Sequence, residues 1–203
     1  MRWIKHEVYG GAVQFMRCGL CWRVIDAEAD RYWDKDAECP GCGKVHGTYL
    51  IWPNVNARNF RRIAYEQDLM EGDGRMIALI FTITAIESIL YELLEGLMLP
   101  DEKNRTKVVE TLREKWRFGD RKKLFKEMRG RSIKDTMVEC GYRHFYDDWL
   151  ALDAARDALI HGDTFFEGMT KPLLPIKEVM DNAPQVFRAV NNDVCAFLDD
   201  KRR

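Results

Sequence analysis

The sequence predicts a mainly α protein in which a small N-terminal β unit precedes a bundle of four principal helices. After about residue 60, apolar residues recur every three or four positions, as in amphipathic helices, and no strand-like alternation occurs. Before that point, two cysteine pairs are flanked by short runs rich in β-forming residues. The 203 residues are enough for one such helical domain and one small appendage.

The N-terminal cysteines have the spacing of a zinc ribbon. They form two C-x-x-C pairs, Cys18 with Cys21 and Cys39 with Cys42, separated by 17 residues. Four sulfur ligands leave no open coordination position, so the predicted zinc is structural, and we expect it to supply most of the folding free energy of this unit. His46, a short distance after Cys42, is the alternative ligand, although a surface position is commoner for such a histidine.

The chain divides into three segments. Residues 1–53 form the ribbon, with predicted strands at 13–16 and 48–52 and Pro53 at its end. Residues 54–71 are a connecting segment with a helix at 57–70, and residues 72–203 are the helical domain. Pro184 is a point at which the last helix could divide. The helices expected in the helical domain are 75–98, 102–117, 120–129, 132–140, 143–161 and 176–199.

Charge is distributed unevenly along the chain. Residues 103–134 carry a net charge of +9, whereas the rest carries −10, so that the whole chain is close to neutral at −1. A basic segment of this kind favours a polyanionic partner. The alternative interpretation is a solvated helical surface with ion pairs between residues four apart. By contrast, the 26–38 stretch of the ribbon is acidic, which argues against phosphate contact there and favours a protein-facing or regulatory role.

The sequence also predicts a cytoplasmic protein without a membrane span. The N-terminus lacks the apolar core of a signal peptide. The longest apolar run, 76–99, is interrupted by threonine, serine and glutamate residues. In a reducing compartment, clustered cysteines indicate metal binding rather than disulfides. Cys140 and Cys195, outside the cluster, are expected to be small core residues.

An arginine occupies an apolar position of the third principal helix. Positions 145, 149, 152, 156 and 159 form one seam, and position 156 is arginine. Because an unpaired buried guanidinium is costly, Arg156 needs an acid, a cleft or a partner subunit, and Glu87 in the first long helix is the candidate acid. His161 ends the same helix before Gly162, where the helix dipole favours the protonated imidazole.

The run Arg156-Asp157-Ala-Leu-Ile-His161-Gly162 resembles the R-x4-6-H signature of HEPN domains (higher eukaryotes and prokaryotes nucleotide-binding). A polar residue after the arginine and an acidic residue in the first long helix, here Asp157 and Glu87, are also usual in that family. The resemblance covers roughly residues 72–203, leaves the ribbon outside, and implies a four-helix HEPN-like bundle. The short helices between 119 and 141 depart from a minimal bundle.

The resemblance implies a metal-independent endoribonuclease that acts as a homodimer and leaves 2′,3′-cyclic phosphate and 5′-hydroxyl ends on RNA. His161 would transfer protons and Arg156 would stabilise the phosphorane. Asp157 would hold the imidazole or raise its pKa, and Glu87 would keep Arg156 in place.

The same resemblance implies an RNA partner for the basic segment, with Arg121, Lys122 and Lys123 as candidate backbone contacts. The family often supplies toxins and antiviral-defence effectors, so an antitoxin or another regulatory protein is a possible partner. The alternative is a non-catalytic helical module that binds RNA, a nucleotide or a protein, in which Arg156 is simply bridged to Glu87.

Overall fold

A three-stranded antiparallel sheet precedes seven helices in the ranges that the computed structural model describes, which are 15–26, 38–70, 74–99, 104–115, 117–161 and 174–201. The mainly α fold with a small N-terminal sheet is thus confirmed, whereas the HEPN-type bundle stays a prediction. The strands are β1 (Phe15–Cys18), β2 (Val24–Asp26) and β3 (Tyr49–Trp52). The helices are α1 (Val55–Asp68), α2 (Gly74–Met98), α3 (Arg105–Glu114), α4 (Phe118–Arg129), α5 (Ile133–Glu139), α6 (Arg143–Ile160) and α7 (Ile176–Lys201).

The sheet has β1 at its centre, in the order β2-β1-β3. Phe15 lies opposite both Asp26 and Trp52, and Cys18 lies opposite Tyr49. Strand β2 was not predicted, because three residues are too few to show an alternating pattern. Strand β3 follows the second cysteine pair and pairs with β1, which ends at Cys18 of the first pair. The sheet therefore brings the two cysteine pairs close together.

Helix α2 is buried on most of its sides. It packs against α1, α3, α4, α6 and α7, and residues outside the predicted seam, such as Ala78, Ala85 and Leu94, are fully buried as well. By length and composition alone α2 could cross a membrane, but 61% of its most apolar window is buried within the protein. This burial is consistent with the core helix of a soluble protein.

Side-chain caps explain where several helices begin. Asn54 accepts a hydrogen bond from the Ala57 N–H at 3.0 Å, so α1 starts before the predicted residue 57. Ser132 caps α5 as expected, and Gly141 follows it with a φ of +86°. The predicted division at Pro184 is wrong within the described residues, because α7 continues through it with the proline ring buried against the core.

The β unit is fixed to the bundle by polar contacts with α7 and by an aromatic contact with α2. The Asn192 amide pairs with the Val24 backbone, accepting from its N–H and donating to its carbonyl, each at 2.9 Å. Asn191 donates to the Trp22 carbonyl at 2.9 Å. Trp22 has a φ of +62°. Its ring lies so close to Gly96 that a Cβ at this position would be 3.1 Å from the nearest ring atom. Gly96 therefore leaves room for the indole while α2 continues to Met98.

A buried ion pair joins the strand β1 to α2. Arg17 Nη1 lies 2.7 Å from Glu92 Oε1, and the two side chains are only 10% and 8% exposed. Asn54 donates its backbone N–H and its amide to Glu92 Oε2 at 3.0 and 3.2 Å. Burial raises the pKa of the Glu92 carboxyl, and the Arg17 charge opposes that rise. The pair therefore fixes the sheet, the start of α1 and the middle of α2 at one point.

Replacing Arg17 by alanine is expected to lower the free energy of unfolding by about 3–5 kcal/mol, because it leaves the Glu92 carboxylate buried without its cation. The matched control is Arg62→Ala, which removes an exposed pair with Glu66 on α1 and should cost at most about 1 kcal/mol. Urea denaturation at several pH values measures both variants.

The loss in free energy of unfolding caused by Arg17→Ala should become smaller as the pH falls. Without Arg17, the pKa of Glu92 rises further above its value in the unfolded chain, so the folded state binds more protons and loses stability as the pH rises through that window. A deficit equal to that of Arg62→Ala, or one that does not vary with pH, would contradict this account of the pair.

Candidate functional site

Arg156 is bound by three carboxylates from two helices. Its Nη1 lies 2.8 Å from Glu87 Oε1 on α2, and its Nη2 lies 2.7 Å from Asp153 Oδ1 one turn earlier on α6. Asp157 Oδ1 accepts from Nη2 at 2.8 Å and from Nε at 3.1 Å. The Glu87–Arg156 pair is the contact that both sequence interpretations require. These hydrogen bonds engage all three nitrogens of the guanidinium.

The carboxylates around Arg156 outnumber the cation. Burial lowers the pKa of the guanidinium, but the hydrogen bonds and charges of Glu87, Asp153 and Asp157 outweigh burial and raise it above its ordinary value. Burial also raises the pKa of the Asp153 carboxyl, and Arg156 opposes that rise. The arginine side chain is 15% exposed, so the cluster lies at the edge of the core. Its most accessible acid is Asp157, which is 58% exposed.

Asp153 is a member of the cluster that the sequence analysis missed. It precedes Arg156 by three residues, so the two side chains share one face of α6. This i, i+3 spacing is a signal that the sequence itself contains.

His161 lies at the end of α6 and is exposed. Its backbone N–H donates to the Asp157 carbonyl at 3.0 Å, and its own backbone leaves the helical conformation, so that α6 ends at Ile160. The predicted contact between the Asp157 carboxylate and the His161 imidazole is not observed among the described residues. The Asp157 carboxylate contacts Arg156 instead. Gly162, the predicted residue after the helix, lies outside the described residues. Within one chain, the described contacts therefore do not join His161 to the Arg156 cluster.

Part of the basic segment borders the cluster. Lys122, in the first half of α4, is near enough to Asp153 for its charge, after that of Arg156, to oppose the rise that burial causes in the pKa of this carboxyl. Lys122 Nζ also lies 4.2 Å from the centre of the Phe118 ring. Arg121 packs over Tyr91 at 5.7 Å, whereas Lys123 is exposed. The three predicted RNA contacts thus lie on the helix that flanks the arginine.

Of the described aromatic residues in the basic segment, Phe125 belongs to the core, as predicted, and Phe118 is half-buried against it. Phe125 is fully buried, and the Phe118 ring packs 4.7 Å from Trp149, itself fully buried. Trp116 lies outside the described residues. Base stacking by Phe118 or Phe125 would require displacing core side chains.

Four potential metal donors converge in the β unit, and a fifth lies beside them. The donor atoms of Cys18, Cys39, Cys42 and His46 all lie within 4.8 Å of one another, which is close enough to bind a metal ion. The predicted ligand Cys21 lies outside this group, although its Sγ is 4.0 Å from Cys39 Sγ. Three sulfurs and at least one further soft or borderline donor form a set that suits zinc.

Backbone N–H groups point at the sulfurs of this cluster. The amides of Leu20 and Cys21 donate to Cys18 Sγ, and that of Gly41 donates to Cys39 Sγ, each at 3.4 Å. Burial raises the pKa of the Cys39 thiol, but backbone and side-chain hydrogen bonds together outweigh burial and lower it, whereas at Cys18 burial outweighs them and the pKa is raised. Such donors stabilise a thiolate, the form of cysteine that binds metals.

No family model matches the chain, and neither a curated protein nor a solved structure does.

Replacing Arg156 by alanine is expected to lower the free energy of unfolding by about 2 kcal/mol, because it leaves Glu87, Asp153 and Asp157 facing one another. Arg143→Ala is the matched control, since it removes an exposed contact with Asp147 on the same helix and should cost less than about 1 kcal/mol. Without Arg156 the pKa of Asp153 rises further, so the deficit should be largest near neutral pH and shrink in mild acid. Equal losses for the two variants would contradict this prediction.

Proposed function

We propose that this protein is a metal-independent endoribonuclease of the HEPN type. The observation that supports it best is the position of Arg156, which Glu87 holds at the edge of the core on the same helix as the exposed His161. A basic helix borders that position, as an RNA-binding site requires. The resemblance of the Arg156–His161 run to the HEPN signature supplies the reaction class.

The chemistry assigned to each residue follows from its charge and exposure. The RNA phosphate would displace Asp157 from Arg156, because Asp157 is the most exposed of the three acids. Glu87 and Asp153 would keep the guanidinium in place as it binds the phosphorane oxygens. The imidazole of His161 would take the 2′-hydroxyl proton and protonate the departing 5′-oxygen. Cleavage would leave a 2′,3′-cyclic phosphate and a 5′-hydroxyl.

A homodimer would resolve the separation of the two motif residues. Five residues along α6 correspond to about 500°, so Arg156 and His161 leave the helix in directions about 140° apart. A second copy related by a two-fold axis could bring its imidazole to the guanidinium of the first. The activity of an enzyme that cleaves cellular RNA must be restrained inside the cell. We therefore propose that the protein is a cytoplasmic toxin or antiviral-defence effector whose partner is an antitoxin or another regulatory protein.

A second candidate is a non-catalytic helical module that binds RNA, a nucleotide or a protein. The observation that favours it is the occupation of all three guanidinium nitrogens by carboxylates. In that case Arg156 ties α2 to α6, and the α4 surface carries the binding function.

Purified protein is expected to cleave labelled single-stranded RNA in the presence of a chelator that leaves the bound zinc in place. His161→Ala should lose at least about 100-fold in rate, because it removes the proton-transfer group. His144→Ala is the matched control, since His144 is an exposed histidine at the other end of α6 and should retain full activity. Denaturing gels with 3′-end analysis detect the cyclic phosphate, and bound zinc is measured by mass spectrometry.

RNA binding without cyclic-phosphate ends, in wild type and at every pH tested, would remove the enzymatic proposal and favour the second candidate. Equal activity of wild type and His161→Ala would do the same for the assigned site.

The proposal for the cysteine cluster is a structural zinc ion. One zinc per chain is expected in protein purified under reducing conditions, and Cys39→Ser should lose it together with several degrees of thermal stability. Cys140→Ser is the control, because Cys140 lies at the end of α5, away from the cluster, and should keep the metal. Elemental analysis and thermal melting measure the two effects. Metal-free wild-type protein, or equal metal loss in both variants, would refute the assignment.

A further inference from the structure

The donor cluster offers one ligand more than a tetrahedral zinc site can use. Structural zinc takes four ligands, whereas five donors are close together: those of Cys18, Cys39, Cys42 and His46 lie within 4.8 Å of one another, and Cys21 Sγ, outside that group, lies 4.0 Å from Cys39 Sγ. Either the histidine or a cysteine must therefore stay outside the first coordination shell. The hydrogen bonds of His46 decide which.

The backbone fixes the protonation of the His46 ring. The Thr48 N–H donates to Nδ1 at 3.2 Å, and a backbone N–H can only donate, so Nδ1 carries a lone pair rather than a proton. In a neutral imidazole the proton is then on Nε2. This Nε2 lies 3.1 Å from Cys18 Sγ. A protonated nitrogen has no lone pair for a metal ion, but it can donate to a thiolate.

The distances agree with that division. Zinc–sulfur bonds of about 2.3 Å and zinc–nitrogen bonds of about 2.0 Å place two sulfurs of a tetrahedral site about 3.8 Å apart and a sulfur and a nitrogen about 3.5 Å apart. The 4.0 Å between Cys21 Sγ and Cys39 Sγ is close to the first value. The 3.1 Å between Cys18 Sγ and His46 Nε2 is shorter than the second and suits a charge-assisted hydrogen bond.

The orientation of the ring follows from strand pairing and does not require a metal. His46 stacks on Tyr49, with ring centres 4.6 Å apart and planes at 20°. Tyr49 is the residue that pairs with Cys18 across β1 and β3. The sheet register thus places the imidazole beside this particular sulfur.

We propose that His46 donates an N–H···S hydrogen bond to the Cys18 thiolate and that Cys21 is the fourth zinc ligand. This inference rests on the proposed zinc site. Four thiolates around Zn²⁺ leave a net charge of −2 on the site. The imidazole N–H offsets part of this charge at Cys18, which is fully buried. His46 is then a positioning residue that slows metal release and attack on the thiolate.

The test uses the full-length chain loaded with Co²⁺, whose visible spectrum distinguishes four sulfur ligands from three sulfurs and one nitrogen. His46→Ala should bind one Co²⁺ with the spectrum of the wild type, whereas Cys21→Ser should shift its bands to shorter wavelength or lose the ion. In the zinc form, His46→Ala should release metal to a colorimetric chelator at least about tenfold faster. His46→Gln, which keeps an N–H donor, should recover part of that loss, and Cys140→Ser is the control for thiol removal.

A shifted cobalt spectrum in His46→Ala would overturn the inference, because it would make the histidine a ligand. An unchanged release rate in His46→Ala would overturn the role of the hydrogen bond. If Cys21→Ser does not fold, the His46→Ala spectrum decides alone. Failure of the wild type to bind either metal would refute the zinc site itself, which is a distinguishable result.

Discussion

The constraint on which the fold depends is the burial of α2, a long apolar helix that nevertheless carries glutamates at three positions. Each glutamate is bound by an arginine from a different element. Glu87 pairs with Arg156 of α6 at 2.8 Å, Glu92 pairs with Arg17 of β1 at 2.7 Å, and Glu95 pairs with Arg105 of α3 at 3.0 Å. Buried carboxylates are tolerated only with such partners. The three pairs therefore fix β1, α3 and α6 against α2.

The three pairs differ in ways that bear on function. The Glu92 pair is closed, since both side chains are nearly buried and Asn54 supplies the remaining hydrogen bonds. In the Glu87–Arg156 pair, the arginine also contacts Asp153 and Asp157, and Asp157 is exposed to solvent. Under the proposed function, a phosphate would replace Asp157 at the guanidinium while Glu87 and Asp153 stay bound.

The sequence predicted the features that depend on local patterns. Helical periodicity and caps placed most helices within a few residues, and the C-x-x-C spacing placed the metal donors. The Glu87–Arg156 contact was predictable because each residue interrupts or borders an apolar seam. The short strand β2, the amide pairing of Asn192 with Val24, and the approach of His46 to Cys18 were not, because they depend on partners far apart in sequence or on strand register. The division at Pro184 was wrong because packing around a buried proline outweighs its missing N–H.

The β unit that carries the cysteine cluster is linked to the bundle through α7 and through α2, and α2 also carries Glu87 of the arginine site. Arg23 donates to the Gly41 carbonyl at 2.8 Å, inside the second cysteine turn, and also pairs with Asp199 of α7 at 2.9 Å. Arg17, which immediately precedes Cys18, contacts Glu92 of α2. Glu87 lies five residues before Glu92, or about 7.5 Å along a rigid helix. Although the HEPN resemblance excludes the β unit, this unit thus braces the helix that supplies Glu87, and a metal ion bound by its cysteine cluster would stabilise the support on which the position of Arg156 depends.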